Sequence, residues 1–340
     1  MDKKTRRQII TGITENFNKK KVLVIGDLIL DEFVYGRAIG LSLETPTLKA
    51  EHTKTEYSYG GAGNVVKNIL ELGANLSFIT LLGNNGYSGL NQEKHFEYHI
   101  SQKNKESKFL PIIEEGRETT VKRRFWVERG GVYYKVFQLD HLDNREITEK
   151  TREKILEKTE EEIKDSDLVL LVDYRHGMLT KRLIEDLKTL SIQERKKIIA
   201  SSQLSQKQSN HADYHGVHLM CMNLNEAKSL DSKFSPEKTR NLLETILGSS
   251  VCITLGANGA VIYLKGNKYS SSGIKVEEKD SCGAGDCFLG ALALTDFEKY
   301  PEESLYIANC WAGLSVRETG TTTPKKQELI DYLTKEAENE

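Results

Sequence analysis

The run Lys21-Val22-Leu23-Val24-Ile25-Gly26 predicts a buried β-strand, because it is short and apolar and ends in a glycine. Runs of the same kind recur along the chain at residues 76–82, 168–172, 197–200, 216–222 and 251–255. Segments with a 3.6-residue apolar period, such as residues 64–72 and 148–163, lie between most of these runs, and the pattern is helical from Ala284 onward. Strands that alternate with helices predict an α/β fold with a mostly parallel sheet and helices on both faces.

Two stretches, residues 33–59 and 119–139, interrupt this alternation. Both are rich in aromatic and β-branched residues and show no helical period. The second predicts a hairpin of residues 121–127 and 132–139, with Arg129-Gly130-Gly131 as its turn. A few antiparallel strands inserted into an α/β core form either a lid over a pocket or an extension of the main sheet, and the pattern favours neither.

The composition indicates a soluble protein without a strong charge bias. Lysine and arginine number 48 against 50 acidic residues, for a net charge of −2, whereas nucleic-acid binders usually carry a basic excess. The apolar runs are shorter than the ~20 residues of a membrane-spanning helix, and no secretory signal follows the basic start at residues 3–7. Five cysteines without regular spacing predict no disulfide framework. With no linker visible, we expect one cytoplasmic domain over residues 1–340 that binds neither nucleic acid nor membranes.

The segment Asp280-Ser281-Cys282-Gly283-Ala284-Gly285-Asp286 carries the clearest chemical signal. Gly283 and Gly285 permit a tight turn that aims successive N–H groups at one point before a helix, an arrangement that binds anions. Such a site suits the charge on a phosphoryl group in transfer. Asp286 lies in the first helical turn, where its carboxylate could accept the proton of a hydroxyl. Taken alone, the segment allows equally well a glycine-rich turn with Asp286 as a helix cap.

Two further segments place polar groups where ligands bind in α/β proteins. In Tyr59-Gly60-Gly61-Ala62-Gly63-Asn64, small residues let a ligand approach the backbone, and Asn64 offers hydroxyls both a donor and an acceptor. Gly26-Asp27-Leu28-Ile29-Leu30-Asp31 places two acids after the first strand, at the sheet edge where ligands bind. The first segment alone is weak evidence, since it lacks a phosphate-loop lysine, and both acids could simply be turn residues.

Together these three segments resemble the ribokinase-like (PfkB) carbohydrate kinases. The amino-terminal glycine motif of that family is similar to Gly60-Gly61-Ala62-Gly63-Asn64, and its carboxy-terminal signature is similar to residues 280–286. Asn223-Leu224-Asn225-Glu226 resembles the family's Asn-x-x-Glu element, and Thr254-Leu255-Gly256-Ala257-Asn258-Gly259 resembles its nucleotide loop. Asn309 matches a position that lines the adenine pocket.

The resemblance, which spans residues 20–325, implies a ribokinase-like three-layer α/β/α sandwich with a small β-sheet lid made by the two interrupting stretches. It implies an ATP-dependent sugar kinase that uses Mg²⁺ and could also use a monovalent cation. Asp286 is then the general base, and the backbone of Gly283, Ala284 and Gly285 is the anion hole. The implied nucleotide-binding residues are Asn223, Glu226, Thr254, Gly256, Gly259 and Asn309, with Glu226 also as metal ligand. The expected substrate-binding residues are Asp31, Gly60, Gly61, Asn64, Lys122, Arg124 and Asp173.

Within the family, the chain most resembles the kinases that phosphorylate heptose 7-phosphate at its anomeric hydroxyl. This resemblance rests on residues 22–35, 43–46, 119–124 and 173–177. The chain departs from these kinases at Ser201-Ser202-Gln203, where they usually carry Asp-Pro-Lys, and at His176, where they carry lysine. It also ends before the nucleotidylyltransferase domain that is often fused to them. Two expected positive charges are therefore missing or altered, which leaves the exact sugar open.

The basic residues of the second stretch suggest an acceptor that carries a phosphate. Lys122 and Arg124 alternate along a predicted strand, so both can point into the cleft, and arginine binds phosphate through paired hydrogen bonds. The same residues could instead face solvent. The competing functions are a hexose or nucleoside kinase and a catalytically weak sugar-binding regulator on the same fold. We also expect a homodimer joined through the lid, because a lid would otherwise leave apolar surface exposed.

Overall fold

The computed structural model describes residues 3–85, 89–205, 208–237, 242–318 and 320–339. Its strands are β1 (Lys21–Gly26), β2 (Leu28–Leu41), β3 (Leu48–Gly61), β4 (Asn75–Asn85), β5 (Lys108–Glu118), β6 (Val121–Arg129), β7 (Val132–His141), β8 (Leu168–Asp173), β9 (Lys197–Ser202), β10 (Leu219–Asn223), β11 (Ser250–Thr254), β12 (Ala260–Leu264) and β13 (Asn267–Ser271). Its α-helices are α1 (Lys3–Glu15), α2 (Ala62–Glu71), α3 (Gly89–Lys103), α4 (Glu149–Ile163), α5 (Lys181–Gln193), α6 (Leu224–Leu230), α7 (Leu243–Leu247), α8 (Ala284–Ala293), α9 (Pro301–Ser315) and α10 (Lys326–Asn339).

Nine of these strands form a central sheet in the order β13-β12-β11-β10-β9-β8-β1-β4-β5. Neighbouring strands from β11 to β5 are parallel, whereas β12 and β13 extend one edge in antiparallel pairing. Every residue of β8 is buried, as expected of a parallel strand covered on both faces. The predicted mostly parallel sheet is therefore confirmed, although the apolar pattern did not indicate β5, β12 or β13.

Helices cover both faces of the central sheet, each over its own apolar core. Side chains alternate along β1, so Val24 packs into one core and Leu23 into the other. The first core includes residues of α2, α8 and α9, with Trp311 fully buried, and the second includes residues of α4 and α5. These three layers are the predicted α/β/α sandwich. None of the helices in the described part of the chain combines the length and apolar character that crossing a membrane requires.

The other four strands form a separate small sheet in the order β3-β2-β6-β7. β2 pairs antiparallel with β3 and parallel with β6, and β6 forms an antiparallel hairpin with β7. Gly130 and Gly131 both have positive φ, 64° and 82°, as the turn of a two-residue hairpin requires. The two interrupting stretches therefore form one sheet of their own, which we call the lid, rather than an extension of the main sheet.

Arg117, at the end of β5, links the segments that follow β7 and β8. Its side chain is buried, and its Nε donates to Glu114 Oε2 at 2.5 Å. The guanidinium also donates to the carbonyls of Asp143, Arg145 and His176, at 3.1, 2.5 and 3.4 Å. One buried cation thus satisfies several loop carbonyls beside the segment after β8.

We expect Arg117→Ala to lower the free energy of unfolding by about 3–5 kcal/mol, because it leaves the Glu114 carboxylate buried without its cation. Urea unfolding followed by circular dichroism would measure the change. Arg145→Ala is the matched control, since the Arg145 side chain also pairs with Asp143 but is 67% exposed, and exposed ion pairs contribute little. Equal destabilisation by the two variants would contradict the role assigned to Arg117.

Candidate active site

The segments that follow β1 and β8 meet the amino-terminal ends of α2 and α8 at one edge of the central sheet. The carbonyl of Asp27, just after β1, accepts a hydrogen bond from the N–H of Ala62, the first residue of α2, at 2.9 Å. Its Oδ2 accepts one from the N–H of Tyr174, just after β8, at 2.8 Å. Parallel strands end at the same edge, so this convergence follows from the sheet topology.

Asp286, in the first turn of α8, lies at the centre of this region. Its Oδ1 accepts a hydrogen bond from the hydroxyl of Tyr174 at 2.6 Å, and its Oδ2 accepts one from Asn64 Nδ2 at 2.9 Å. Burial raises the pKa of Asp286 to about 6, against the lowering effect of these two donors. The carboxyl is therefore mostly ionised at neutral pH and able to accept a proton.

Gly283 gives the start of α8 a shape that other residues would disturb. It has φ +82°, and a Cβ there would lie 2.6 Å from Asn64 Nδ2. The first N–H groups of a helix have no partner within the helix, and the helix dipole adds positive potential at this end. The Ala284 N–H donates to the Ser281 carbonyl at 3.2 Å, so Gly285 and Asp286 supply the remaining first-turn donors.

A cavity of about 810 Å³ opens in front of this helix end, within the usual size range for ligand pockets. The structure brings all the predicted nucleotide-binding residues to its wall, namely Asn223, Glu226, Thr254, Gly256, Gly259 and Asn309. Apolar and small residues, including Ile274, Ala312 and Val316, line the part near α9. Asn309 Nδ2 donates to the carbonyls of Ser271 and Ser272 at 3.0 and 3.3 Å, so this side chain also fixes a wall of the cavity.

The cavity wall carries negative but little positive charge. Glu226, Glu278 and Asp286 line it, whereas the lining residues in the described part of the chain include no lysine, arginine or histidine. Ser201 and Gln203, where the heptose kinases usually carry aspartate and lysine, both lie in this wall. A bound polyphosphate would therefore meet backbone N–H groups rather than basic side chains at this wall.

Glu226, the predicted metal ligand, also caps its own helix. Its Oε2 accepts from the N–H of Asn223 at 2.7 Å, while Asn223 Oδ1 accepts from the N–H groups of Asn225 and Glu226, both at 2.9 Å. Burial raises the pKa of Glu226 to about 7. The described residues include no group of three acidic, histidine or cysteine side chains able to hold a metal. A single carboxylate such as that of Glu226 suits Mg²⁺, which proteins usually hold through one or two carboxylates together with phosphate and water.

Most of the predicted acceptor-binding residues lie in the strands of the lid itself, namely Asp31, Gly60, Gly61, Lys122 and Arg124. Arg124 Nη1 contacts Asp31 Oδ1 at 2.5 Å, and Lys122 lies beside Asp31 in the β2–β6 register. Gly60 leaves room for this pair, because a Cβ there would lie 2.6 Å from Asp31 Oδ2. Gly61, with φ +59°, turns the chain into α2.

Asp173 differs from the other predicted substrate-binding residues because both oxygens of its carboxylate already accept hydrogen bonds from the protein. Oδ2 accepts from Ser202 Oγ, Asn210 Nδ2 and the hydroxyl of Tyr214, at 3.1, 2.8 and 2.8 Å. Oδ1 accepts from the N–H of Arg175 at 2.7 Å. In this arrangement Asp173 fixes the loops around the site, and a direct contact with substrate stays a prediction.

Two residues of the site were missed by the sequence analysis, Tyr174 and Lys67. Lys67 Nζ donates to Ser58 Oγ at 3.1 Å and to the Thr321 carbonyl at 3.3 Å, and burial lowers its pKa. Its place one helical turn after Asn64 was the available signal. Tyr174 belongs to the segment 173–177 that resembles the heptose kinases, but its contact with Asp286 gave no local signal, because it joins residues 112 positions apart.

Comparisons with known proteins identify the chain as similar to carbohydrate kinases. The profile of the pfkB family carbohydrate kinases matches residues 19–328. The chain is 28% identical over 326 residues to the Bifunctional protein HldE of Desulfatibacillum aliphaticivorans and 29% identical over 321 residues to that of Sulfurimonas denitrificans. It is covered to 93% and 92% in these matches, but it spans only 64% of each relative's length.

Solved structures show the same fold at low sequence identity. Phosphofructokinase-2 from Escherichia coli, in complex with substrates and products, superposes with a TM-score of 0.69 at 17% identity, covering 93% of this chain and 99% of that one. A putative ribokinase from Agrobacterium tumefaciens gives a TM-score of 0.68 at 16% identity, covering 94% and 99%. These matches confirm the predicted ribokinase-like fold.

Proposed function

This chain belongs to the pfkB family of carbohydrate kinases and is a sugar kinase, and on that premise we propose that it transfers the γ-phosphate of ATP to the anomeric hydroxyl of a heptose 7-phosphate. The observation that carries the proposal is the ionisable, buried carboxylate of Asp286 at the amino-terminal end of α8, between the cavity and the lid. The resemblance of residues 22–35 and 173–177 to heptose kinases supports the choice of sugar.

In the proposed reaction, Asp286 accepts the proton of the acceptor hydroxyl as that oxygen bonds to the γ-phosphorus. The bond from the γ-phosphorus to the bridging oxygen breaks, and ADP leaves. Backbone N–H groups at the start of α8 stabilise charge on the phosphoryl oxygens. The Ala284 N–H already donates to the Ser281 carbonyl, so this role falls mainly to Gly285 and Asp286. A bound Mg²⁺ ion would neutralise further phosphate charge. Glu226 would hold this ion, and Asn223, Asn309 and the 254–259 loop would bind the nucleotide.

Asp286→Asn should lower kcat by about 10²- to 10⁴-fold while leaving nucleotide affinity within a few-fold, because the amide keeps the shape but cannot accept the proton. Coupled ADP-release kinetics would measure the rate, and calorimetric titration of the variant with ATP would serve as the folding and binding control. Retention of more than about a tenth of wild-type kcat would exclude Asp286 as the base.

We propose that Lys122 and Arg124 recognise the remote phosphate of the acceptor. Both share the lid face of Asp31, since register neighbours in a sheet point to the same side. Charge-assisted hydrogen bonds to such a phosphate contribute about 1.5–3 kcal/mol each. Two of them favour the phosphorylated sugar over the free sugar by about 10²-fold or more in kcat/KM.

Arg124→Ala should reduce this preference by about tenfold or more, because one of the two contacts is lost, mainly by raising KM for the phosphorylated acceptor. Arg123→Ala is the matched control. Arg123 directly precedes Arg124 in β6, lies on the opposite face of the sheet and pairs with Glu32 at 2.7 Å. ATP consumption across free and phosphorylated heptoses, hexoses and nucleosides would test both variants. Equal kcat/KM for a sugar and its terminal phosphate would contradict the proposal and favour a simple hexose or nucleoside acceptor.

We further propose a homodimer joined through the outer face of the lid, opposite Asp31. Tyr57, Phe137 and Leu139 share that face and are 45%, 57% and 40% exposed. Neighbouring apolar side chains exposed on one sheet face usually mark an interface.

Light scattering at micromolar concentration should show a dimer that Phe137→Asp converts to a monomer, because a charge would be buried at the interface. Ile192→Asp is the control, since Ile192 is 76% exposed on α5, away from the lid. A monomeric wild-type protein, or a dimer that resists Phe137→Asp, would refute the interface.

A further inference from the structure

The hydroxyl of Tyr174 occupies a position between the two halves of the site. Tyr174 lines the 810 Å³ cavity, and its hydroxyl donates to Asp286 Oδ1 at 2.6 Å, the shorter of the two hydrogen bonds to that carboxylate. The aromatic ring packs against the apolar core that contains α2, α8 and α9. The hydroxyl therefore approaches Asp286 from a fixed direction.

The backbone of Tyr174 is fixed as well, by a hydrogen bond to the side chain of Asp27. Asp27 Oδ2, just after β1, accepts from the N–H of Tyr174 at 2.8 Å and from the N–H of His176 at 3.3 Å. Asp27 is itself buried, with 4% of its surface exposed. This gives the first of the two acids after β1 a structural purpose: it places the tyrosine that contacts Asp286.

Asp286 needs such a donor because burial disfavours its charged form. The surrounding groups oppose one another, since Lys67 favours the carboxylate and Asp31 disfavours it. The titratable and charged groups that face Asp286 are Tyr174, Lys67, Asp31, Cys282 and Cys287. Among them, Tyr174 makes a direct hydrogen bond to the carboxylate, and a hydrogen bond to an ionised acceptor is roughly twice as strong as a neutral one.

We propose that Tyr174 is a positioning residue for phosphoryl transfer, whose hydroxyl keeps the Asp286 carboxylate ionised and oriented toward the acceptor. The inference rests on the proposed role of Asp286 as the base. Tyr174 does not itself exchange a proton: the acceptor proton moves to Asp286, while Tyr174 remains a donor throughout. Burial and the adjacent carboxylate raise the pKa of Tyr174 well above its usual value, so the phenol stays protonated.

The decisive experiment is the pH dependence of kcat/KM for Tyr174→Phe. The active form of the base is the carboxylate, so wild-type kcat/KM should fall below a pH near the Asp286 pKa of about 6. Removing a donor that stabilises the carboxylate raises this pKa, so the acid limb should move upward by about one pH unit. We also expect kcat at neutral pH to fall about tenfold with little change in KM for ATP.

Two further variants separate this role from a general loss of structure. Tyr214→Phe removes a similar buried hydrogen bond, from the Tyr214 hydroxyl to Asp173 Oδ2 at 2.8 Å, and should leave the acid limb in place. Fluorinated tyrosine at position 174 keeps the shape of the side chain but is a stronger donor, so it should move the limb downward. This opposite shift also tests the inference if Tyr174→Phe fails to fold.

The outcomes distinguish the positioning role of Tyr174 from the proposed role of Asp286 as the base. If Asp286→Asn keeps its activity, the base is misassigned and the proposed mechanism fails. If Asp286→Asn is inactive but neither Tyr174 variant moves the acid limb, the positioning role of Tyr174 is refuted while the base survives. A limb that moves equally in Tyr174→Phe and Tyr214→Phe would also refute it, because the shift would then be a non-specific effect of lost buried hydrogen bonds.

Discussion

A carboxylate held away from water is the constraint on which the rest of this site depends. Burial raises the pKa of Asp286 to about 6, and donors that reach it from elsewhere in the fold, together with the charge of Lys67, favour its ionised form. Those donors, Asn64 and Tyr174, belong to α2 and to the segment after β8. The charged state of this side chain is therefore favoured by groups that the central sheet and two helices bring together.

Close packing of α2 against α8 makes this arrangement possible. A Cβ at Gly290 of α8 would lie only 3.1 Å from the Cβ of Asn68 in α2, so a small residue lets the two helices approach. Asn68 in turn accepts a hydrogen bond from Trp311 Nε1 of α9 at 2.7 Å, which joins a third helix to the pair. The same approach sets Asn64, one turn before Asn68, beside Asp286.

The sequence predicted the features that are local in the chain and missed those that depend on distant contacts. Short motifs predicted the turn at Gly283, the 254–259 loop and the lid hairpin. Each contains glycines with positive φ, a conformation that other residues rarely adopt. β5 was missed because it is charged and contains Pro111, and the strand predicted at 216–222 begins only at Leu219, after a turn at Gly216 with φ +83°. The partners of Asp173 and the contact between Tyr174 and Asp286 could not be predicted, because each joins separate segments of the fold.

The distribution of charge divides the site into two unlike halves. The cavity has acids but no basic side chain among its described lining residues, whereas Lys122 and Arg124 belong to the lid strand β6 and Lys67 donates to Ser58 of β3. A phosphate bound in the cavity would meet helix N–H groups rather than basic side chains. A phosphate bound next to the lid would instead meet the side-chain cations of Lys122 and Arg124. Gln203, where the heptose kinases usually carry lysine, leaves the described wall of the cavity without a basic side chain.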